Sequence, residues 1–152
     1  VLSLLLLTPA FAAEDINPFI GIWDLDKPGS NFGNAPVPKT MSRTYEDLGN
    51  GSFMYLLVTI NEDDSVGGSS ATYRYDGKEN PIASLNQIIP TTISYEKINE
   101  KTVQYTVRVE GRTSQIGAKT ISPDGRVLTI AIQTIDAAGQ INNQILKFNR
   151  RM

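Results

Sequence analysis

Apolar and polar residues alternate along much of the chain, and glycine, proline, asparagine and aspartate recur between the alternating segments. In the segment 102–110, Val103, Tyr105 and Val107 occupy every second position, with polar residues between them. Successive side chains of an extended strand point to opposite faces, so this pattern is typical of a strand with one buried face. The segment 126–135 repeats the pattern, and the chain is predicted to be all-β and antiparallel.

Turn-forming residues join the predicted strands into hairpins. Pro123, Asp124 and Gly125 separate the segment 115–122 from the segment 126–135, and these residue types favour a tight reversal. The other predicted strands lie at 40–48, 52–60, 71–76, 93–98 and 143–148. No helix-length apolar pattern interrupts them.

The number of predicted strands decides between architectures. An open sheet of eight or nine strands has to curl or split, and closure removes its exposed edges. We therefore expect an antiparallel up-and-down barrel of about eight to nine strands. A β-sandwich with the same strand rhythm is the alternative.

The segment 27–39 departs from the strand pattern because it contains several prolines and glycines. It is predicted to be a long loop, since these residues disfavour regular structure. Such a loop is either a lid across one end of the barrel or a plain connection between strands.

The start of the chain resembles a secretory signal peptide. Residues 1–7 form an apolar run, and the small-residue pattern of a cleavage site follows at 10–12. The run is far shorter than the ~20 residues that cross a bilayer, so we expect no stable membrane insertion of the mature chain. The sequence predicts a signal-peptide remnant at 1–13, a single β-barrel domain at 14–152, and a periplasmic or secreted protein.

The composition removes several classes of function. The 152 residues contain no cysteine and no histidine, which excludes disulfides, thiolate metal sites and histidine ligands. We expect no metal and no cofactor. Fourteen basic and sixteen acidic residues give a net charge of −2 without a basic stripe, so nucleic acid is not an expected partner.

The segment 17–23, Asn-Pro-Phe-Ile-Gly-Ile-Trp, resembles the opening motif of lipocalins and related calycins. In that superfamily a glycine and a tryptophan two positions apart begin the first barrel strand, and an arginine of the last strand stacks on the tryptophan. The resemblance implies that Trp23 closes one end of the barrel. It also implies that Arg150 or Arg151 is its partner, in a cation–π contact.

Most of the chain after residue 13 is also similar to small secreted bacterial proteins of lipocalin-like type, whose functions are largely unassigned. The similarity is carried mainly by turns and strand starts, namely those at 21–25, 43–46, 75–78 and 122–126. It implies a lipocalin-like barrel and no particular activity.

Six aromatic side chains and one arginine are the candidate ligand-binding residues. Strand alternation would direct several of the rings into the barrel, where their faces and hydroxyls form an amphipathic surface, and an interior arginine would meet an anionic head group. The candidates are Trp23, Arg43, Tyr45, Tyr73, Tyr75, Tyr95 and Tyr105. The alternative is that the rings simply fill the core.

Three functions fit this architecture. We expect a protein that binds a small hydrophobic molecule, or an amphipathic one, in the barrel interior. One alternative is a cofactor-free isomerase or cyclase that uses a tyrosine or a buried carboxylate, Glu46 or Glu96, as acid or base. The other alternative is an interaction module with a filled core. No catalytic residue is assigned.

Overall fold

The computed structural model describes residues 16–152, and these form one sheet of eleven β-strands. The strands are β1 (Gly21–Asn31), β2 (Thr40–Gly49), β3 (Ser52–Ile60), β4 (Val66–Tyr73), β5 (Asn80–Pro81), β6 (Ala83–Ser84), β7 (Thr91–Asn99), β8 (Thr102–Val109), β9 (Arg112–Ile121), β10 (Val127–Ile135) and β11 (Ile141–Arg150). The described part of the chain contains no helix. The predicted signal-peptide remnant at 1–13 lies outside the described residues.

The strands are arranged as a nearly closed up-and-down barrel. Their order is β5-β7-β8-β9-β10-β11-β1-β2-β3-β4-β6, and every paired neighbour is antiparallel. β11 returns to pair with β1, which joins the two halves of the chain. Because all strands belong to one continuous sheet, the antiparallel barrel is confirmed and the β-sandwich alternative is wrong.

The barrel has a seam, because β4 and β7 do not pair directly with each other. The segment between them supplies β5, which pairs with β7, and β6, which pairs with β4. These two strands contain two residues each. Eleven strands are therefore present rather than eight or nine, and strands this short leave no alternating pattern for a sequence to reveal.

Two predicted boundaries are also wrong. β1 continues through Lys27, Pro28 and Gly29 to Asn31 with an irregular register, so the loop expected at 27–39 is confined to 32–39. It accommodates these residues because its pairing with β11 shifts between Asp26 and Asn31. The strand expected at 71–76 instead spans Val66–Tyr73, because its glycines and serines at 67–70 mask the alternation.

The predicted hairpin turns are confirmed. Asn50 and Gly51, between β2 and β3, both adopt positive φ angles of 54° and 75°, the conformation that favours asparagine and glycine. Gly125 has a φ of 73°, and its amide donates to the carbonyl of Ser122 at 2.9 Å. These turns bring the inner faces of neighbouring strands into register, so the alternating apolar side chains meet in the barrel interior.

Candidate functional site

One end of the barrel is closed by Trp23, which is completely buried. Its indole N–H donates to the carbonyl of Phe19 at 2.9 Å. The guanidinium of Arg150 lies 4.2 Å from the centre of the Trp23 ring. Arg151 points elsewhere and forms an ion pair with Asp24. Of the two arginines that the resemblance left open, Arg150 is therefore the one that stacks on Trp23.

Arg150 is fully engaged at this closed end. Its side chain donates to the main-chain carbonyls of Gly125 at 2.9 Å, Ile20 at 2.6 Å and Pro18 at 2.7 Å. These bonds fasten the last strand to the segment that precedes β1. Because charged donors form stronger hydrogen bonds than neutral ones, Arg150 acts here as a structural clamp.

The middle of the barrel is filled by aromatic rings around Lys119, whose side chain is 1% exposed. Its Nζ lies 4.0 Å from the centre of the Tyr45 ring and 4.5 Å from that of Tyr95. The rings within 6 Å of Nζ, which we call the aromatic cage, belong to Phe19, Tyr45, Tyr73, Tyr95 and Tyr105. Tyr73 and Tyr95 stack on each other at 3.9 Å, so this region holds little free space.

Lys119 has no carboxylate partner among the described residues; Nζ donates to the hydroxyl of Tyr95 at 3.3 Å. Burial, aided by the positive charge of Arg43, lowers the pKa of Lys119 well below its ordinary value of 10.5. The ring faces offset part of the cost of a cation. Lys119 is therefore a structural element of the cage whose charge is disfavoured by its surroundings.

The other half of the barrel is hollow. A cavity of about 200 Å³, which we call the Arg43 pocket, lies between β2, β3, β4, β7, β8 and β9. Four apolar side chains contribute to its wall: Leu57, Ile82, Ile93 and Val107. Polar groups are interspersed among them: Arg43, Tyr55, Ser69, Ser84, Gln87, Thr91, Tyr95, Tyr105 and Gln115. This mixture is what an amphipathic ligand requires.

Arg43 forms no ion pair and no well-aligned hydrogen bond within residues 16–152, and its guanidinium interacts electrostatically with the neutral hydroxyl of Tyr45. Its Nε is buried without any partner. The guanidinium carbon lies 5.3 Å from the centre of the Phe148 ring. A cation–π contact of this kind uses the face of the ring and leaves the N–H donors unpaired. Arg43 thus brings an uncompensated positive charge to the pocket.

Hydroxyl groups surround the same space. The buried hydroxyl of Tyr45 has no partner, and the hydroxyl of Tyr105 accepts a bond from Gln115 Nε2 at 2.6 Å. Burial raises the pKa of Tyr105 to about 12, so this hydroxyl stays protonated at neutral pH. The pocket therefore presents hydrogen-bond donors and a cation, and it lacks any anionic side chain.

Residues 82–90, which we call the strap, form part of the pocket wall. Ile82, Ser84 and Gln87 of the strap line the pocket. The strap is attached by few main-chain bonds, including Leu85 N to the carbonyl of Gly68 at 3.1 Å and Ile82 N to that of Thr91 at 2.9 Å. None of the residues 27–39 lines the pocket. The segment that the sequence analysis considered as a lid therefore does not contribute to this pocket.

The structure divides the candidate residues between the two halves. Arg43, Tyr95 and Tyr105 line the Arg43 pocket, and Tyr45 lies behind them in the aromatic cage. Trp23, Tyr73 and Tyr75 belong to the closed half; the hydroxyl of Tyr75 accepts a bond from Asn17 at 3.0 Å. The sequence analysis missed Tyr55, Ser69, Gln115 and Lys119. Their inward position depends on strand register, which no local motif announces.

Other features of the described residues do not build a competing site. Glu46 and Glu96 are exposed, so neither carboxylate faces the pocket. No group of acidic residues from 16 to 152 is arranged to hold a metal, and no helix there is long and apolar enough to span a membrane. A depression of about 820 Å³ lies outside the closed end, with Phe19 and Val103 among the residues that line it. No unpartnered buried polar atom lies there.

Comparisons with known proteins establish the fold alone. No protein-family model matches the sequence, and no curated protein matches it. The chain resembles the crystal structure of Rv2717c from M. tuberculosis, with a TM-score of 0.60 and 13% identity over 90% of this chain and 95% of that one. The two proteins therefore share the nearly closed all-β barrel fold.

Proposed function

We propose that the protein binds a small amphipathic molecule in the Arg43 pocket, inside a lipocalin-like barrel. The observation that carries the proposal is the unpaired Nε of Arg43 beside a cavity of about 200 Å³ that both apolar and polar side chains line. Buried polar groups of folded proteins normally have partners, so an unpaired one beside a cavity indicates a group that a ligand completes.

The size of the pocket restricts the ligand. A cavity of about 200 Å³ exceeds the space of a few water molecules, each taking about 30 Å³, and is smaller than the roughly 300 Å³ of the smallest drug-sized sites. It suits a compact molecule, or the head of a longer one whose tail leaves under the strap. The closed half, filled by the aromatic cage, offers such a ligand no further room.

Native mass spectrometry of the purified chain, with a denatured spectrum of the same sample as reference, is the direct test. Added mass that disappears on denaturation is the expected result. Fluorescence titration with N-phenyl-1-naphthylamine, an uncharged apolar probe, then measures binding to the emptied protein. A chain that carries no added mass and does not bind the probe contradicts the proposal and favours an interaction module with a filled core.

Two variants locate the probe. Val107→Phe adds a ring inside the pocket, and Leu56→Phe makes a similar addition at a position that is 42% exposed on the outer face. We expect Val107→Phe to weaken probe binding at least about tenfold, because the ring occupies the ligand's space. Leu56→Phe should bind the probe like the wild type. Equal binding by both variants would place the probe outside the Arg43 pocket.

We also propose that the mature protein is exported to the periplasm or the medium. The support is the apolar run at 1–7 and the small residues at 10–12. Fractionation of a bacterial host that expresses the chain from its natural start, with sequencing of the amino terminus, tests this. A mature chain that begins after Ala12 or Ala13 outside the cytoplasm is expected, and an uncut cytoplasmic chain contradicts export.

A further inference from the structure

We infer that the ligand is an organic acid whose carboxylate is bound by the guanidinium of Arg43. This inference rests on the proposed function and adds the chemical class of the ligand. It follows from the charge balance of the barrel interior, from the donors that remain unpaired there, and from the apolar side chains that line the same pocket.

The charge of Arg43 is permanent, since a guanidinium stays protonated throughout the physiological range. Burial of a charge without a partner is costly. Arg150 shows how the same side chain is satisfied elsewhere in this barrel, with three main-chain carbonyls as acceptors. Arg43 has no such acceptors, so a neutral apolar ligand would leave its charge and its buried Nε unpaired.

No carboxylate of the described chain can take this role. Every acidic residue from 16 to 152 is exposed except Asp24 and Asp26, which are partly exposed. Asp24 is held by Arg151, and Asp26 accepts a bond from the amide of Gly29 at 3.2 Å. The anion that completes Arg43 therefore has to come from outside this part of the chain.

The number of cations in the pocket favours a carboxylate over a phosphate. Arg43 is the only lysine or arginine that lines the pocket, and the nearby Lys119 is enclosed by the aromatic cage. A single guanidinium matches the charge and the planar shape of one carboxylate. A phosphate monoester, which is nearly doubly charged at neutral pH, would keep one charge unbalanced.

The remaining contacts fit the rest of such a molecule. The hydroxyls of Tyr55 and Ser69, which lie only 3.4 Å apart, line the pocket. Leu57, Ile93 and Val107 add apolar surface to the same pocket. An acid with a short hydrocarbon body thus has a partner for both of its ends.

Competition between matched ligands tests the inference. The probe is N-phenyl-1-naphthylamine, and the competitors are octanoate, 1-octanol, octylamine and octyl phosphate, which share one hydrocarbon chain. For the wild type we expect octanoate to displace the probe at concentrations about ten to a hundred times lower than 1-octanol, the range for one hydrogen bond to a charged group. Octylamine should be the weakest competitor.

Three variants assign the preference to Arg43. Arg43→Met should retain probe binding and lose the preference for octanoate over 1-octanol, and Arg43→Lys should keep part of it. Arg126→Met removes one positive charge from an exposed position and should leave the preference unchanged, which controls for net charge. Circular dichroism of each variant confirms that it is folded.

The outcomes separate the inference from the proposed function. Equal displacement by octanoate and 1-octanol, with the probe still bound in the pocket, overturns the inference and leaves the proposed function standing. Stronger displacement by octyl phosphate than by octanoate replaces the carboxylate with a phosphate and also overturns it. If neither the probe nor octanoate binds the chain, the proposed function itself fails.

Discussion

The two halves of the barrel interior use the same residue type in opposite ways. In the closed half, Arg150 donates to three carbonyls and stacks on Trp23. In the hollow half, Arg43 forms no well-aligned hydrogen bond, and its Nε is buried without a partner. The difference teaches that hydrogen-bond satisfaction, more than burial, distinguishes an arginine that supports the fold from one whose donors remain available to a ligand. Each experiment below changes one side of this contrast.

Arg150→Met should have the largest effect. It removes charged hydrogen bonds to the carbonyls of Pro18, Ile20 and Gly125 and the contact with Trp23. We expect the free energy of unfolding to fall by about 2 to 4 kcal/mol, measured by urea denaturation. Arg151→Met, which removes only the exposed pair with Asp24, is the matched control and should cost less than about 1 kcal/mol. Similar losses for the two variants would contradict a special role for Arg150.

Lys119→Met tests whether the aromatic cage disfavours the charge of Lys119. The readout is the pH dependence of the free energy of unfolding. The pKa of Lys119 lies well below 10.5 in the folded protein, because of burial first and then of Arg43, and returns to about 10.5 on unfolding. Between these two pKa values the unfolded state binds one more proton, so stability rises with pH and is lost as pH falls. The contribution is at most about 1.4 kcal/mol per pH unit.

The measurement compares urea denaturation of Lys119→Met and the wild type from pH 6 to pH 9, below the range in which tyrosines ionise. The variant should be the more stable protein at the lower pH values, and its advantage should shrink as pH rises. A difference between the two proteins that stays constant with pH would show that Lys119 has the same protonation in the folded and unfolded states.

Gly117→Ala tests how closely the Tyr105 ring packs against β9 at the edge of the pocket. Gly117 lies opposite Tyr105 in the β8–β9 pair, and an added Cβ would overlap the Tyr105 ring. We expect a loss of about 1 to 2 kcal/mol from overpacking, together with weaker probe binding because the ring is displaced toward the pocket. Ala118→Gly on the outer face, measured in the same assays, should leave probe binding unchanged. Unaltered probe binding in Gly117→Ala would show that the ring moves away from the pocket.

Arg43→Met should have the smallest effect on stability and the opposite sign from Arg150→Met. The variant removes an unpaired buried donor and therefore its desolvation cost, and methionine introduces no new buried polar group. We expect the free energy of unfolding to stay constant or to rise by up to about 1 kcal/mol, measured in the absence of ligand. A fall in the free energy of unfolding comparable to that of Arg150→Met would assign Arg43 a structural role. The contrast between Arg43 and Arg150 would then be wrong.

The barrel could be predicted from the sequence because most of its strands have one dry face. In β8, for example, Val103 and Tyr105 are buried while Gln104 between them is exposed. The terminal motif was also informative, since it placed Trp23 beside an arginine of the last strand. Of the residues that line the Arg43 pocket, Arg43, Tyr95 and Tyr105 were named as candidates from the sequence, because each lies in a predicted strand.

β9 explains why Lys119 could not be predicted. Its alternation is inverted, with Ile116 exposed on the outer face and Gly117 and Lys119 buried on the inner face. Gly117 faces inward because the Tyr105 ring takes the space of a side chain there, and the aromatic cage receives Lys119. Both reasons are contacts with other strands. Hydrophobicity along β9 alone therefore indicates the wrong face.

Tyr55 was missed for a different reason. β3 is apolar at six consecutive positions, 53–58, so its sequence marks neither face as the inner one. The segment between β4 and β7 was missed because β5 and β6 are each too short to show any period. In both cases pairing with a neighbouring strand, which is a property of the whole sheet, determines the position.

The seam between β4 and β7 has a consequence for self-association. If the strap detaches from β4, the main-chain donors and acceptors of that strand lose their partners, and an unpaired edge is a template for a strand of another chain. Pro81, which lacks an N–H, and the two-residue lengths of β5 and β6 give an incoming strand little to pair with while the strap is in place. The segment beside the proposed ligand pocket is therefore also the segment that shields the edge of β4 from pairing with another chain.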